Sequence, residues 1–243
     1  MIGQLRSELL KQRSTETTLF LLLAMVGFVA LAVTMHVIAL SPSHLSTNAH
    51  QLDVFQVGTR AAMIFAALAG AMAITAEIRH GTIRPTFLVE PRRGPVIAAK
   101  LAIGGLAGLT YGLLAEGLMA TAAAIAFSIR GIPNELSGGD YARLLIGGAA
   151  AGALWAILGV GVGALVRNQV GTLVGILAYM FLVESVSEAF IPGVVKLLPG
   201  GAGLTLAGNN QDLSVAVAAL LLVAYAAAAS AAGWIATLRR DVA

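Results

Sequence analysis

The sequence predicts an all-α membrane protein with six transmembrane helices, an N-terminal interfacial helix and one short cytoplasmic helix between the second and third spans. Three observations predict it. Of 243 residues, 58% are hydrophobic and only 11% charged, against about 25% charged in an ordinary soluble domain. The mean hydropathy is +0.87. The apolar residues gather into six runs, most of them near the ~20 residues that a helix needs to cross a bilayer core of about 30 Å. So few charges cannot clothe a water-facing surface, which excludes a soluble enzyme, a disordered chain and a nucleic-acid binder. Aromatics at 6% are too few for the girdles of an outer-membrane barrel, and the runs lack the alternation of barrel strands. With no cysteine, there is no disulfide, thiolate metal site or catalytic thiol.

Residues 1–17 place Ile2, Leu5 and Leu9 at helical spacing, with Arg6, Lys11 and Arg13 on other faces. The pattern predicts an amphipathic helix on the membrane surface. A positive tail that only sets topology is the plainer alternative. The first span, 18–40, contains the uncharged run Leu19 to Leu40. It exceeds the roughly 7–15 residues of a signal-peptide core and no A-x-A site follows, so it stays in place. The second, 57–76, is uncharged from Ala61 and reaches back past Arg60. The third, 101–129, carries one charge, Glu116. The fourth, 143–166, carries none beyond its opening Arg143. The turn Arg167-Asn168-Gln169 makes the fourth and fifth spans antiparallel neighbours. The fifth, 169–190, ends with Glu184 and Glu188 at i, i+4. The sixth is 213–238.

The loop 77–100 is the most informative segment. It carries Arg79, Arg84, Arg92, Arg93 and Lys100, yet also the apolar set Ile83, Phe87, Leu88 and Val89. Pro85 suits a first helical turn, and Pro91 and Pro95 would break a helix downstream. One short helix over 82–90 is predicted. Its apolar patch suits docking to a protein partner or rest on anionic headgroups. On the other side, Arg130 to Arg143 and Ile191 to Asp212 are rich in turn residues, and Val194 to Leu198 re-enters the outer leaflet.

An even number of spans puts both termini on one side. That side holds 11 basic residues and the opposite side four, Arg60, Arg130, Arg143 and Lys196. The positive-inside rule therefore makes the termini cytoplasmic. Within the membrane, Gly104, Gly108 and Gly112 on the third span, and Gly148, Gly152, Gly159 and Gly163 on the fourth, mark close helix packing. Gly171 and Gly175 open the fifth. Glu116 lies mid-span, where a carboxylate is costly and is by default functional. Structural pairing with Thr110, Thr121 or Tyr179 is its rival. Glu184 and Glu188 line an outer vestibule or mark the membrane boundary.

Catalytic signatures are lacking. There is no P-loop and no H-E-x-x-H, and no G-x-S-x-G. His36, His44 and His50 fit no recognised metal spacing. No catalytic residue and no metal ligand is therefore assigned.

The block Glu77, Gly81, Thr82, Ile83, Arg84, Pro91, Arg92, Arg93 and Lys100 resembles the signature region of type-2 ABC transporter permeases. The turn Leu165 to Gln169 is similar to that family's link between its fourth and fifth spans. The resemblance implies a permease subunit of an ATP-driven exporter in a bacterial inner membrane. The loop would be a coupling helix seated in a separate P-loop ATPase, through Glu77, Gly81, Thr82, Ile83, Arg84, Phe87, Arg92 and Arg93, with Glu77, Arg84 and Arg92 as ionic latches. Residues 1–17 would be the interfacial elbow helix. Two permease chains, identical or homologous, would pair with two ATPase copies, which bind the ATP and Mg; this chain would bind no cofactor. Glu116, Gly171, Gly175, Glu184 and Glu188 would lie along the substrate path. Two readings of other classes compete: an ion-coupled secondary transporter using Glu116, and a non-transporting membrane scaffold or immunity protein.

Overall fold

A computed structural model describes residues 2–89, 93–208 and 213–239. Among them the chain is predominantly helical, without strands, and six helices are long and apolar enough to cross a membrane. Helix α1 (Ile2–Ser14) precedes α2 (Glu16–Ala39), the first of the six. A single 3-10 turn, His44–Ser46, leads into α3 (Asn48–Arg79). Short α4 (Ile83–Val89) joins it to α5 (Arg93–Arg130). Then come α6 (Gly138–Val166) and a fifth span, Gln169–Phe190. This span is built from α7 (Gln169–Ala178), a π-helical turn Tyr179–Val183 and α8 (Glu184–Phe190). Two short helices, α9 (Pro192–Val195) and α10 (Pro199–Leu206), lead to α11 (Val215–Arg239).

The helices outrun the apolar runs. Helix α3 begins at Asn48 rather than near residue 57, because buried Gln51 repays its burial with hydrogen bonds. Its amide donates to the Leu45 and Pro133 carbonyls at 2.9 and 2.8 Å, and its oxygen accepts from the Glu135 amide at 2.9 Å. Helix α5 begins at Arg93, so Pro95 opens a helix instead of breaking one. A proline in the first turn has no intrahelical donor to lose. Ser137 and Asp140 form a reciprocal capping box that starts α6 ahead of residue 143.

Helices α3, α5 and α6 form the core, joined through glycines. A Cβ at Gly70 would strike the Ala156 carbonyl, and one at Gly159 the Ala67 carbonyl. Gly108 lies against the Gly152 carbonyl and Gly112 against the Gly148 carbonyl. Helix α11 joins α6 at the Gly161–Gly233 contact, and α2 lies against α3 and α5. The other faces of α2, α7, α8 and α11 expose apolar residues such as Phe20, Val170, Phe190 and Leu220. Apolar side chains facing outward over whole helices are what lipid, not water, accommodates.

The turn after α6 is as tight as expected. Arg167 takes a left-handed φ of 58° and Asn168 caps α7 by accepting from the Gly171 amide at 2.8 Å. Yet α7 leans on α3 more than on α6, and Arg79 reaches the Gln169 side chain at 3.3 Å. The re-entrant element also differs from expectation. The wholly buried piece is α10, over residues 199–206, rather than Val194 to Leu198. Its run Pro-Gly-Gly-Ala-Gly reads as loop, but small side chains let its backbone wedge in: a Cβ on Gly147 of α6 would strike the Leu206 carbonyl.

Candidate functional site: a charged ring under a short helix

At the α4 end of the bundle, four charged side chains from three helices close a ring. Lys100 of α5 is fully buried and bonds Glu8 of α1 and Glu77 of α3, both at 2.8 Å. A third donor goes to the Ala73 carbonyl at 2.9 Å. Lys11 of α1 bonds the same two carboxylates at 2.8 Å from a half-exposed position. Two cations and two anions cancel, and Lys100 has two carboxylates and a carbonyl within 2.9 Å, which is what a buried ammonium requires. Burial opposes the charge on Lys11, but its hydrogen bonds and charge pairing with Glu77 and Glu8 outweigh burial and hold it above the ordinary lysine value. A lysine raised in this way adds stability that is complete below its unfolded value and fades only as pH climbs through the folded one. The Lys11 arm therefore holds throughout the neutral range.

The ring adds a polar tie to the bundle on the other side of α1 from Leu9 and Leu10. The helix's bundle-facing side is polar, with Glu8 buried and Lys11 half-buried, while Leu9 and Leu10 point outward, Leu10 at 66% exposure. The ionic tie at Glu77 thus runs to Lys11 and Lys100. Neither the expected latch Arg92 nor the side chains of Arg84 and Phe87 fall within the described part of the structure, although the backbone of both latter residues lies in α4.

Helix α4 stands clear of the bundle on a defined footing. Gly81 has φ +69° just past the end of α3, a conformation that favours glycine and turns the chain sharply. The Thr82 hydroxyl donates to the Glu77 carbonyl at 3.5 Å. Ile83 is buried against Ile74, Ile78 and Ala164. Leu88, on the other side, is 82% exposed. Arg93 donates to the Thr237 carbonyl at 2.8 Å and so satisfies an orphan group in the last turn of α11.

The remaining candidates lie deeper. Glu116 is buried between α3, α5 and α6 and accepts from the Thr59 hydroxyl at 2.5 Å. Thr110 and Thr121 are not its partners, since each bonds a carbonyl of its own helix, Leu106 and Gly117. Gly58 and Gly148 leave the room that the Glu116 side chain fills. Thr59→Val should destabilise the chain by roughly 1–3 kcal/mol, the cost of an orphaned buried acceptor, whereas Thr59→Ser should be near neutral. Thermal melts of the purified chain in detergent check both.

Glu184 is buried and accepts from the Gly200 amide at 2.7 Å. It thereby satisfies a first-turn donor of α10. Tyr179 and Arg60 also lie near its carboxylate. Glu188, Gly171 and Gly175 are exposed on the outer face of the fifth span. Arg60 follows Thr59 on α3, so this helix meets Glu116 through one residue and faces Glu184 through the next. His44 and His50 stack with centroids 4.0 Å apart, and His36 bonds the Ala32 carbonyl of its own helix. Among the described residues no cluster of three His, Cys, Asp or Glu side chains gathers.

Glu8, Lys11 and Thr59 carry the ring and the buried pair, and sequence reasoning missed all three. The i, i+3 pairing of Glu8 with Lys11 was the available signal for the first two; nothing marked Thr59. Comparison with known protein families and with curated proteins returns no match.

Proposed function

We propose that the chain is the membrane-spanning permease subunit of an ATP-driven exporter, with the α4 end facing the cytoplasm of a bacterial inner membrane and α4 docked on a separate P-loop ATPase. One observation carries this reading. A short helix between the second and third spans stands outside the bundle with Leu88 presented, and its base is braced by buried Ile83 and by the ring at Glu77. A part that transmits movement must be exposed at its tip and rigid at its root. The resemblance of Glu77, Gly81, Thr82, Ile83 and Arg84 to the permease signature supports the same role, and Glu77 then works as a brace under the helix.

In this reading ATP binds and is hydrolysed on the partner, and no residue of this chain does catalytic work. Two permease chains pair, and the exposed face of the fifth span, with Gly171, Gly175 and Glu188, borders the path between them. Closure of the ATPase pair pushes α4. The ring passes that push to α1, α3 and α5 together.

The test is purification of the tagged chain from its native membranes in mild detergent. A stoichiometric P-loop ATPase is expected, and Leu88→Asp should cut its retention by about tenfold, or 1.4 kcal/mol, while leaving insertion unchanged. Absence of any ATPase from the wild-type preparation would overturn the proposal. Gradient-driven transport abolished by Glu116→Gln would put the ion-coupled reading in its place.

A further inference from the structure

Beside the ring lies a cleft of about 430 Å³, within the ~300–1,000 Å³ range of small-ligand sites. Its walls differ in kind. Leu21 of α2 with Ala69, Met72, Ala73 and Ala76 of α3 make an apolar wall. Glu8, Lys11 and Gln12 of α1, with Glu77, His80 and Thr82, make a polar one. Along α3 the lining runs from Ala69 to His80, about 16 Å at 1.5 Å per residue. The polar end sits beside the charged ring and the apolar end points along the spans.

We infer that this cleft binds a zwitterionic amphiphile, its chain along Leu21, Ala69 and Met72 and its headgroup against the Lys11–Glu77 pair. The lining supplies fixed charges of both signs, and the ring they belong to is neutral, so neither an anionic nor a cationic headgroup is favoured over one carrying both. A phosphate finds Lys11, Gln12 and His80; an ammonium finds Glu77 Oε2, the one oxygen of the two carboxylates with no hydrogen-bond partner among the described residues. The outward Leu9 and Leu10 of α1 set the polar wall at the level of the lipid headgroups. Helix α1 thus closes over the amphiphile with its polar side and meets bulk lipid with its apolar side. The inference is independent of any ATPase partner.

The experiment uses the full chain in nanodiscs containing diazirine-tagged phosphatidylethanolamine, phosphatidylglycerol or diacylglycerol as separate probes. Phosphatidylethanolamine should label peptides spanning residues 8–21 and 69–86 about tenfold more than either other probe. Ala73→Phe, which fills the cleft, should bring that labelling down to the level of the others. Leu19→Phe, on the exposed face of α2, should leave it unchanged. Should Ala73→Phe not fold, the three-probe comparison on the wild-type chain stands alone. Equal labelling by the three probes, or stronger labelling by the anionic or the uncharged one, overturns the inference. Unlabelled lysophosphatidylethanolamine added from solution identifies the source. Competition by it at low concentration points to a soluble single-chain amphiphile. Competition only by the diacyl lipid points to the bilayer. Failure of both to compete overturns the inference.

Discussion

Lys100→Ala should be the most damaging charge substitution in the chain, costing about 3–5 kcal/mol, the usual penalty for removing one partner of a buried ion pair. Lys100 is the member of the ring with no solvent at all, and its loss leaves Glu8 and Glu77, at 7% and 12% side-chain exposure, sharing only Lys11. The two carboxylates then face each other in a medium that cannot screen them. Lys11→Ala should cost far less, because at 40% exposure water screens that arm. The measurement is thermal unfolding of the purified variants in one detergent. A triple change, Lys100→Met with Glu8→Gln and Glu77→Gln, should recover much of the loss, since it removes the three buried charges and leaves only the half-exposed Lys11. If Lys100→Ala melted within a degree of wild type, the ring would be incidental to the fold.

Gly152→Val should be comparably severe through packing. The α5–α6 crossing brings backbone to backbone: a Cβ at Gly152 would strike the Gly108 carbonyl and crowd Gly112. Neither helix can retreat, because α6 is held on its other sides by α3 at Gly159 and by α11 at Gly161. Overpacking of this kind costs about 1–3 kcal/mol and occasionally more, and backbone contacts on several sides put Gly152 at the upper end. Gly117→Val is the control, since nothing lies within 4 Å of that position. A loss of monodisperse protein for Gly152→Val beside a normal Gly117→Val profile is the expected pair of results.

Much of this architecture is legible from residues alone. Six apolar runs become six helices because a bilayer leaves backbone groups no partner but their own helix. Spaced glycines such as Gly108 and Gly112 become crossing points because only they admit a carbonyl at that distance. The short helix at 83–89 was readable from Gly81, Pro85 and the apolar set between them. The element ends were not. Gln51 extends α3 through bonds to Pro133 and Glu135, some 80 residues away, and no local pattern signals that. Helix α10 was hidden for the converse reason: its glycines suit a loop, and only the gap beside Gly147 makes them a helix. The ring was invisible as a whole because its members come from three helices, each with a local explanation. Lys100 looked like a positive marker for topology, and Glu8 drew no reading at all. The same limit hid the partner of Glu116, since nothing within the second or third span distinguishes Thr59 from Thr110.

The ring also sets a clock on how the chain is made. Glu8 and Lys100 are 92 residues apart in sequence. At synthesis rates of about 5–20 residues per second, α1 waits roughly 5–20 s after its own emergence before Lys100 exists to receive it. During that interval Glu8 has only its neighbour Lys11, and α1 is free to lie on the lipid surface by Leu9 and Leu10. Helix α1 is therefore made well before the Lys100 that fastens it. A chain truncated before Glu77 has neither anchor for α1, so a protease aimed at residues 1–14 should cut such a fragment and spare the finished protein.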